Sequence, residues 1–427
     1  MRVAMISYHT CPLATLGGKD TGGMNVYVRD LTRMLGAMGI QVDVFTRSQD
    51  EHVPHVLHDL GFGNRVVHVL AGPEVPLPKP ELVDHLPEFV AGVQAFVQGK
   101  GLRYDLIHSH YWMSGIAARE LRVAWQVPIV HMFHTLGVMK QRVARTPQES
   151  EGEYRLQGER EILHLADRIV AATQAEYAQL QWLYQADMDK VVVIPPGVDL
   201  SRFYPIDQLE AKEYIGVPPD TQILLYVGRI EPLKGIDILI EALAKLRERG
   251  SLEQAPICLL VIGGDPDLDP TTADGEIARL LALCRGHGLQ DLVTFLGRRS
   301  QDSLPYYYSA AIAVVVPSHY ESFGMVALEA MACGTPVVAS EVGGLAFLVQ
   351  DGVTGFTVPV DEPEALAERL EALIGDTRLR RRLGEQAAAF ARRYSWEVVA
   401  RRLLDLYEET LDRFTDQVQA PAHSPGR

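Results

Sequence analysis

Two acids in the stretch PSHYESFGMVALEAMACGTPVVAS, residues 317–340, are the first candidates for chemistry. Phe323, Val326, Ala327, Ala330 and Met331 recur at helical spacing, and Gly334 follows as a stop. Glu321 falls in the loop ahead of that helix and Glu329 two turns into it, among small apolar neighbours. A carboxylate buried there is costly unless it meets donors, and the paired hydroxyls of a ribose would supply them. The Ser322-Phe323-Gly324 turn offers backbone N–H groups at the helix start, where an anion gains about 0.3 to 2 kcal/mol. The stretch suits a hydroxyl-rich group and a phosphate together; a helix with Glu329 turned to water is the alternative. In VGRIEPLKG, Arg229 would end a strand and Lys234 would precede the next helix. Two cations so placed would straddle a diphosphate, Arg as a fork and Lys as a point charge. The G-x-x-x-x-G-K-[ST] phosphate loop is absent, and ordinary solvated cations are the plain alternative.

The first half carries a second set. Gly22-Gly23-Met24-Asn25 lies between the first strand and the first helix, where glycine lets backbone approach a ligand closely, with His9 at the end of that strand. The pattern is not G-x-G-x-x-G, and a tight turn without a ligand explains it equally. Two histidine groups, His108-Ser109-His110-Tyr111 and His131-Met132-Phe133-His134-Thr135, are expected at the ends of neighbouring strands. Without H-E-x-x-H or an acid at ligand spacing they do not read as a metal site; hydrogen bonding to sugar hydroxyls fits better, with buried histidines as the alternative. Lys79, Lys140, Arg142, Arg145 and Arg155 form a cationic set within an acidic chain. If several converge on one cleft, the molecule bound there should itself be anionic, and phosphorylated; otherwise they are surface charge.

Parallel sheets must position these groups. Short apolar runs alternate with helical stretches throughout, predicting strands at 3–7, 41–46, 65–71, 104–108, 128–132, 168–172 and 190–194, with a helix at 24–38. Pro195-Pro196-Gly197 breaks the pattern, and a second series follows at 222–227, 257–262, 292–296, 312–316, 337–339 and 355–358. Two doubly wound units in one chain place a cleft between them, with the carboxyl ends of both sheets facing it. At 427 residues the chain has room for both cores. With 40 Lys plus Arg against 55 Asp plus Glu, a net charge of −15, it is not a general nucleic-acid binder. Four scattered cysteines suit a reduced cytoplasmic protein, and no apolar run reaches the ~18 residues of a membrane span. The Arg-rich stretch RLRRRLGEQAAAFARRYSW reads as a solvated helix face.

Taken together, these stretches resemble the retaining nucleotide-sugar glycosyltransferases of the GT-B fold that carry an E-x7-E motif, here Glu321 and Glu329. GR-x4-KG, from Gly228, and PPGVDLSRFYP, from Pro195, occur in the same order. The resemblance implies an α/β chain of two Rossmann-like domains facing an interdomain cleft. Residues 1–197 would hold the acceptor and 198–394 the donor, with a helix at 395–414 crossing back to brace the first domain and a flexible tail at 415–427. It assigns Arg229 and Lys234 to the diphosphate, Glu329 to the ribose and Glu321 to the transferred sugar. Gly23, Phe323, Gly324 and Met325 would surround the donor, and His134 would face its sugar. His9, Asn25, Lys79, Tyr111, Thr135 and Arg155 would grip a phosphorylated acceptor. HTCPLATLGGKDTGGMNVYV and YDLIHSHYWMSG are similar to members that glycosylate D-inositol 3-phosphate; FHTLGVMKQR and PPGVDLSRFYP look equally like members that use fructose 6-phosphate. Those typically have G-G-Q where this chain has Gly23-Met24-Asn25, so the resemblance leans toward inositol phosphate. The implied reaction moves glucose or N-acetylglucosamine from a UDP-sugar with retention, needs no metal or other cofactor, and is compatible with a homodimer. A non-catalytic nucleotide-sugar sensor is the rival from another class.

Overall fold

The computed structural model describes residues 1–14, 21–144, 152–253, 256–264 and 275–419, the side chains of 417–419 excepted. Gly17, Gly18, Arg145 and residues 420–427 of the expected tail therefore lie outside the described residues. Runs rich in Val, Ile and Leu, buried on both faces, build two sheets. The first has eight strands: β1 (Arg2–Ile6), β2 (Gln41–Arg47), β3 (Val56–Leu57), β4 (Arg65–Val69), β5 (Leu106–His110), β6 (Ile129–Met132), β7 (Arg168–Ala171) and β8 (Val191–Val193). Their order is β3-β4-β2-β1-β5-β6-β7-β8, parallel except for the β3–β4 pair. The second has six, all parallel: β9 (Gln222–Val227), β10 (Ile257–Ile262), β11 (Val293–Gly297), β12 (Ala313–Val316), β13 (Val337–Ser340) and β14 (Gly355–Val358), in the order β11-β10-β9-β12-β13-β14. The order reverses between β1 and β5 in one sheet and between β9 and β12 in the other. Loops leaving such a reversal part to opposite faces and open a crevice at the carboxyl edge. His9 follows β1 and Tyr111 follows β5, while Arg229 follows β9 and Glu321 follows β12, so both reversals serve one cleft.

Three differences from the expected elements bear on the site. β5 ends at His110, two residues beyond the expected 108, so His108 and His110 stand inside a buried strand rather than past its end. The helix carrying Glu329 starts at Met325 (Met325–Ala332), so Glu329 is little more than one turn in, not two. The two-residue β3, too short to leave a period in the sequence, is an added edge.

The chain passes between the domains twice, at paired positions: the Val198 N–H donates to the Tyr394 carbonyl at 2.7 Å and the Trp396 N–H to the Val198 carbonyl at 3.3 Å. The last helix, Trp396–Gln419, then runs back onto the first domain, five residues past the expected end at 414. Arg402 donates to the Val193 carbonyl at 2.7 Å, Tyr407 Oη meets His108 Nδ1 at 2.7 Å, and Trp396 packs edge-on against Tyr27. One buried apolar cluster runs from Val3 and Leu31 through Trp396 and Leu403 to Phe323 and Ala327, tying both domains to this helix. In the Arg-rich helix, Thr377–Ala391, Leu383, Ala387 and Ala391 are buried while Arg378, Arg381 and Arg382 face solvent. Among the described residues no helix is long and apolar enough to cross a membrane.

Candidate active site

A cavity of about 300 Å³ lies between the domains, lined from both. On the second-domain side, Lys234 Nζ stands 2.6 Å from Glu321 Oε2, and Arg229 Nη2 stands 2.9 Å from Glu231 Oε1. Lys234 reaches Glu321 because the chain turns tightly after it. Gly235 has φ of +65°, and a Cβ there would lie 2.1 Å from the Pro317 carbonyl oxygen. Only glycine combines that backbone with that approach. Phe323, Gly324 and Met325 line the same wall at the start of the Met325–Ala332 helix, where free N–H groups and the helix dipole favour an anion.

Glu329 sits a turn deeper, buried and outside the cavity lining. Tyr308 Oη donates to its Oε2 at 2.8 Å. Loss of water pushes its carboxyl up to about 7; the Tyr308 hydrogen bond opposes the rise, and Asp30 adds to it. Tyr308 as its partner, and Asp30 reaching across from the first domain, left no signal in the sequence.

On the first-domain side, His9, Asn25, Lys79, Tyr111, His134, Thr135 and Lys140 line the cavity, as does Gly23. Tyr111 is the centre of this wall: the His9 ring lies 4.3 Å from its ring, and Lys79 Nζ lies 5.7 Å from its centroid. A Cβ on Gly23 would come within 3.3 Å of Met325 Cγ, which marks where the domains nearly touch. Arg142 points to solvent away from the cavity.

Two expected ligand grips are engaged elsewhere. Asn25 accepts from the Gly22 N–H at 2.9 Å and donates to Thr10 Oγ1 and the Cys11 carbonyl, both at 2.7 Å, so its amide holds the loop rather than reaching outward. Arg155 is fully buried behind the wall. Its Nε pairs with Glu159 at 2.8 Å, and its other nitrogens donate to the Thr135 carbonyl at 2.7 Å, Thr135 Oγ1 at 3.0 Å and Tyr111 Oη at 3.3 Å. Glu159, four residues on, is the partner that the cationic set concealed. The reading of both histidine groups as sugar-binding is likewise corrected for His108, His110 and His131, which are fully buried; His134 alone of the four lines the cavity.

A polar node missed in the sequence joins the domains beside the site. Gln301 accepts from Arg29, in the first helix (Gly23–Ala37), at 2.5 Å and from Arg202 at 2.9 Å. Nothing marks a lone glutamine in a loop as the meeting point of two arginines.

Residues 21–202 match Glycosyltransferase Family 4, and residues 207–390 match Glycosyl transferases group 1. Over 98% of its length the chain is 43% identical to the D-inositol 3-phosphate glycosyltransferase of Actinosynnema mirum, covering 100% of that protein. The sucrose-phosphate synthase of Thermosynechococcus elongatus superposes with a TM-score of 0.87 at 37% identity, over 96% of this chain and 99% of that one. The chain belongs to the GT-B glycosyltransferases. An Anabaena protein solved with UDP and glucose, 21% identical with a TM-score of 0.73 over 96% of this chain and 100% of its own, shares the fold.

In this glycosyltransferase the two walls differ in electrostatics as well as in source. Burial holds the His134 imidazole down at about 3, and burial followed by neighbouring imidazoles holds His110 well below its ordinary value, so both are neutral where an enzyme works. The cavity thus presents Arg229 and Lys234, each paired with a carboxylate, on the second-domain side, and Lys79, Lys140, the Tyr111 ring and a neutral imidazole on the other.

Proposed function

We propose that the enzyme transfers a glycosyl group, with retention, from a UDP-sugar to a phosphorylated polyol, D-inositol 3-phosphate being the first acceptor to try. What carries the reading is a single cavity with Arg229, Lys234, Glu321 and a helix start on one wall and Lys79, Lys140 and Tyr111 on the other. The 43% identity to a D-inositol 3-phosphate glycosyltransferase supports that acceptor. Fructose 6-phosphate is the alternative, on the structural likeness to a sucrose-phosphate synthase.

As the bond to the diphosphate breaks, negative charge grows on its oxygens. Arg229, Lys234 and the N–H groups near Gly324 stabilise that charge more than they stabilise the ground state. These two cations match the charge of a diphosphate, so no metal is invoked. Glu321 is proposed to accept from hydroxyls of the transferred sugar once the diphosphate competes for Lys234. Glu329 is proposed to take the ribose hydroxyls, because Tyr308 uses only part of its acceptor capacity. With Glu321 given to the sugar hydroxyls and Glu329 set a turn behind the cavity wall, neither is proposed as a nucleophile. A same-face reaction, in which the leaving phosphate receives the acceptor's proton, fits that arrangement better than a covalent intermediate. Lys79 and Lys140 would hold the acceptor's phosphate. A sensor would need only the donor wall, and the furnished acceptor wall speaks against it.

Incubation with UDP-N-acetylglucosamine or UDP-glucose, each paired with inositol 3-phosphate or fructose 6-phosphate, tests this through UDP release and the anomeric configuration of the product. Acceptor-dependent release with an unchanged anomer, insensitive to chelator, is expected. No release in any pairing, or an inverted product, would overturn the proposal.

A further inference from the structure

His110 and His134 meet beneath the first-domain wall. His110 Nδ1 lies 3.0 Å from His134 Nε2, and Tyr27 packs edge-on against both rings, with centroids 5.6 and 5.1 Å away. His134 also has φ of +62°, a conformation that a non-glycine residue keeps only where its surroundings hold it. Two neutral imidazoles joined nitrogen to nitrogen share one proton, so one ring must donate and the other accept.

The far side of His110 decides which. Its Nε2 is fully buried and has no hydrogen-bond partner among the described residues. An orphaned N–H in the interior is rarer and costlier than an unmatched lone pair. The proton therefore belongs on Nδ1 of His110, donated to His134. Accepting at Nε2, His134 must carry its own proton on Nδ1. In water a free histidine prefers the opposite arrangement, so the protein imposes this one.

We propose that His110 is a positioning residue that locks His134 in the Nδ1–H tautomer, making it a fixed hydrogen-bond donor to an oxygen of the transferred sugar. A ring free to exchange tautomers would present that oxygen with a lone pair part of the time. The donor's role in transfer rests on the function proposed above; the tautomer does not.

Nitrogen-15 NMR of the ligand-free full chain, with His134 assigned by comparison with His134→Ala, reads the tautomer directly. The Nδ1–H pattern is expected for His134, and an Nε2–H pattern would overturn the proposal. In His110→Leu the pattern should move toward Nε2–H, and kcat should fall about tenfold with both KM values little changed. His110→Asn, whose amide N–H can stand where Nδ1–H stood, should restore the pattern and most of the turnover; His110→Gln, which reaches further, should not. If Leu and Gln leave the tautomer or kcat at the wild-type value, the positioning role is refuted while the transferase reading stands. Absence of transfer in the wild type, with the Nδ1–H pattern present, would refute the transferase reading alone.

Discussion

On the second-domain wall Arg229, Lys234 and Glu321 lie just past β9 and β12 and meet the cavity themselves, while on the first-domain wall Arg155 and His110 stand one layer back, hydrogen-bonded to Tyr111, Thr135 and His134. On the function proposed above, the difference follows from what each wall would meet. A diphosphate needs bare charge, held meanwhile by a carboxylate that can be exchanged. A polyol needs hydroxyl-sized positions held firmly, and buried charge supplies the firmness. A cation in a binding cleft can thus be machinery or scaffold, and its partners tell which.

The largest effect should come from breaking the scaffold. Arg155→Ala leaves Glu159 buried beside the Gly137 N–H and the Tyr184 hydroxyl without its counter-ion. A loss of about 3 to 5 kcal/mol in denaturant unfolding is expected, toward the lower end because those donors remain. Adding Glu159→Gln should return part of it. A variant as stable as the wild type, with only the acceptor KM raised, would move Arg155 from scaffold to ligand contact.

Lys234→Ala should do the reverse. The Lys234–Glu321 pair is partly exposed, so its contribution to stability is under about 1 kcal/mol. Its removal should instead lower kcat by about 10²- to 10³-fold, read as UDP release at saturating substrates. Turnover near the wild type would take the diphosphate off this wall.

The two walls were also unequally legible in the sequence. Arg229, Lys234 and Glu321 follow strand ends in loops, where a charge has no packing reason to be present, so type and position alone mark them. The strands themselves are legible for the same elementary reason, since uninterrupted Val and Ile runs have few other uses. His110 and Arg155 looked like ligand contacts because sequence shows residue type but not partner. A strand ending two residues later than expected turns His108 and His110 inward, and Glu159 one helical turn from Arg155 claims the guanidinium. The Gln301 node and Tyr308 depend on approaches across the fold that no local spacing encodes.

Asn25 tests the scaffold reading at a lower cost. With its amide holding Gly22, Thr10 and Cys11, Asn25→Ala should cost about 1 to 3 kcal/mol of stability and raise the acceptor KM through a loosened loop, leaving the donor KM in place. A stable variant with unchanged acceptor KM would show that the loop does not depend on it.

Glu329 gives the effect that joins the walls, since Asp30 on the first-domain helix helps to set its protonation. Its carboxyl is raised from 4.5 to about 7 in the folded chain, so between those values the native state holds a proton that the unfolded state has lost. Glu329's own contribution to the stability of the ligand-free enzyme should therefore fall as pH rises through that window and level off above it. The buried His108, His110, His131 and His134, held below their ordinary value by burial, act in the opposite sense over the same range and Glu176 in the same sense, so the contribution is read as the difference between wild type and Glu329→Gln. Donor binding should run the other way, because two ribose hydroxyls need the ionised form as acceptor. One pH unit below its midpoint roughly a tenth of the group is ionised, so the UDP-sugar KM should rise about tenfold there. Measured at saturating acceptor, whose own phosphate titrates nearby, that slope isolates the donor wall. Glu329→Gln should remove this contribution from the stability profile and flatten the donor KM; a donor KM that still follows pH in this variant would assign the titration to another group and leave the ribose without its carboxylate.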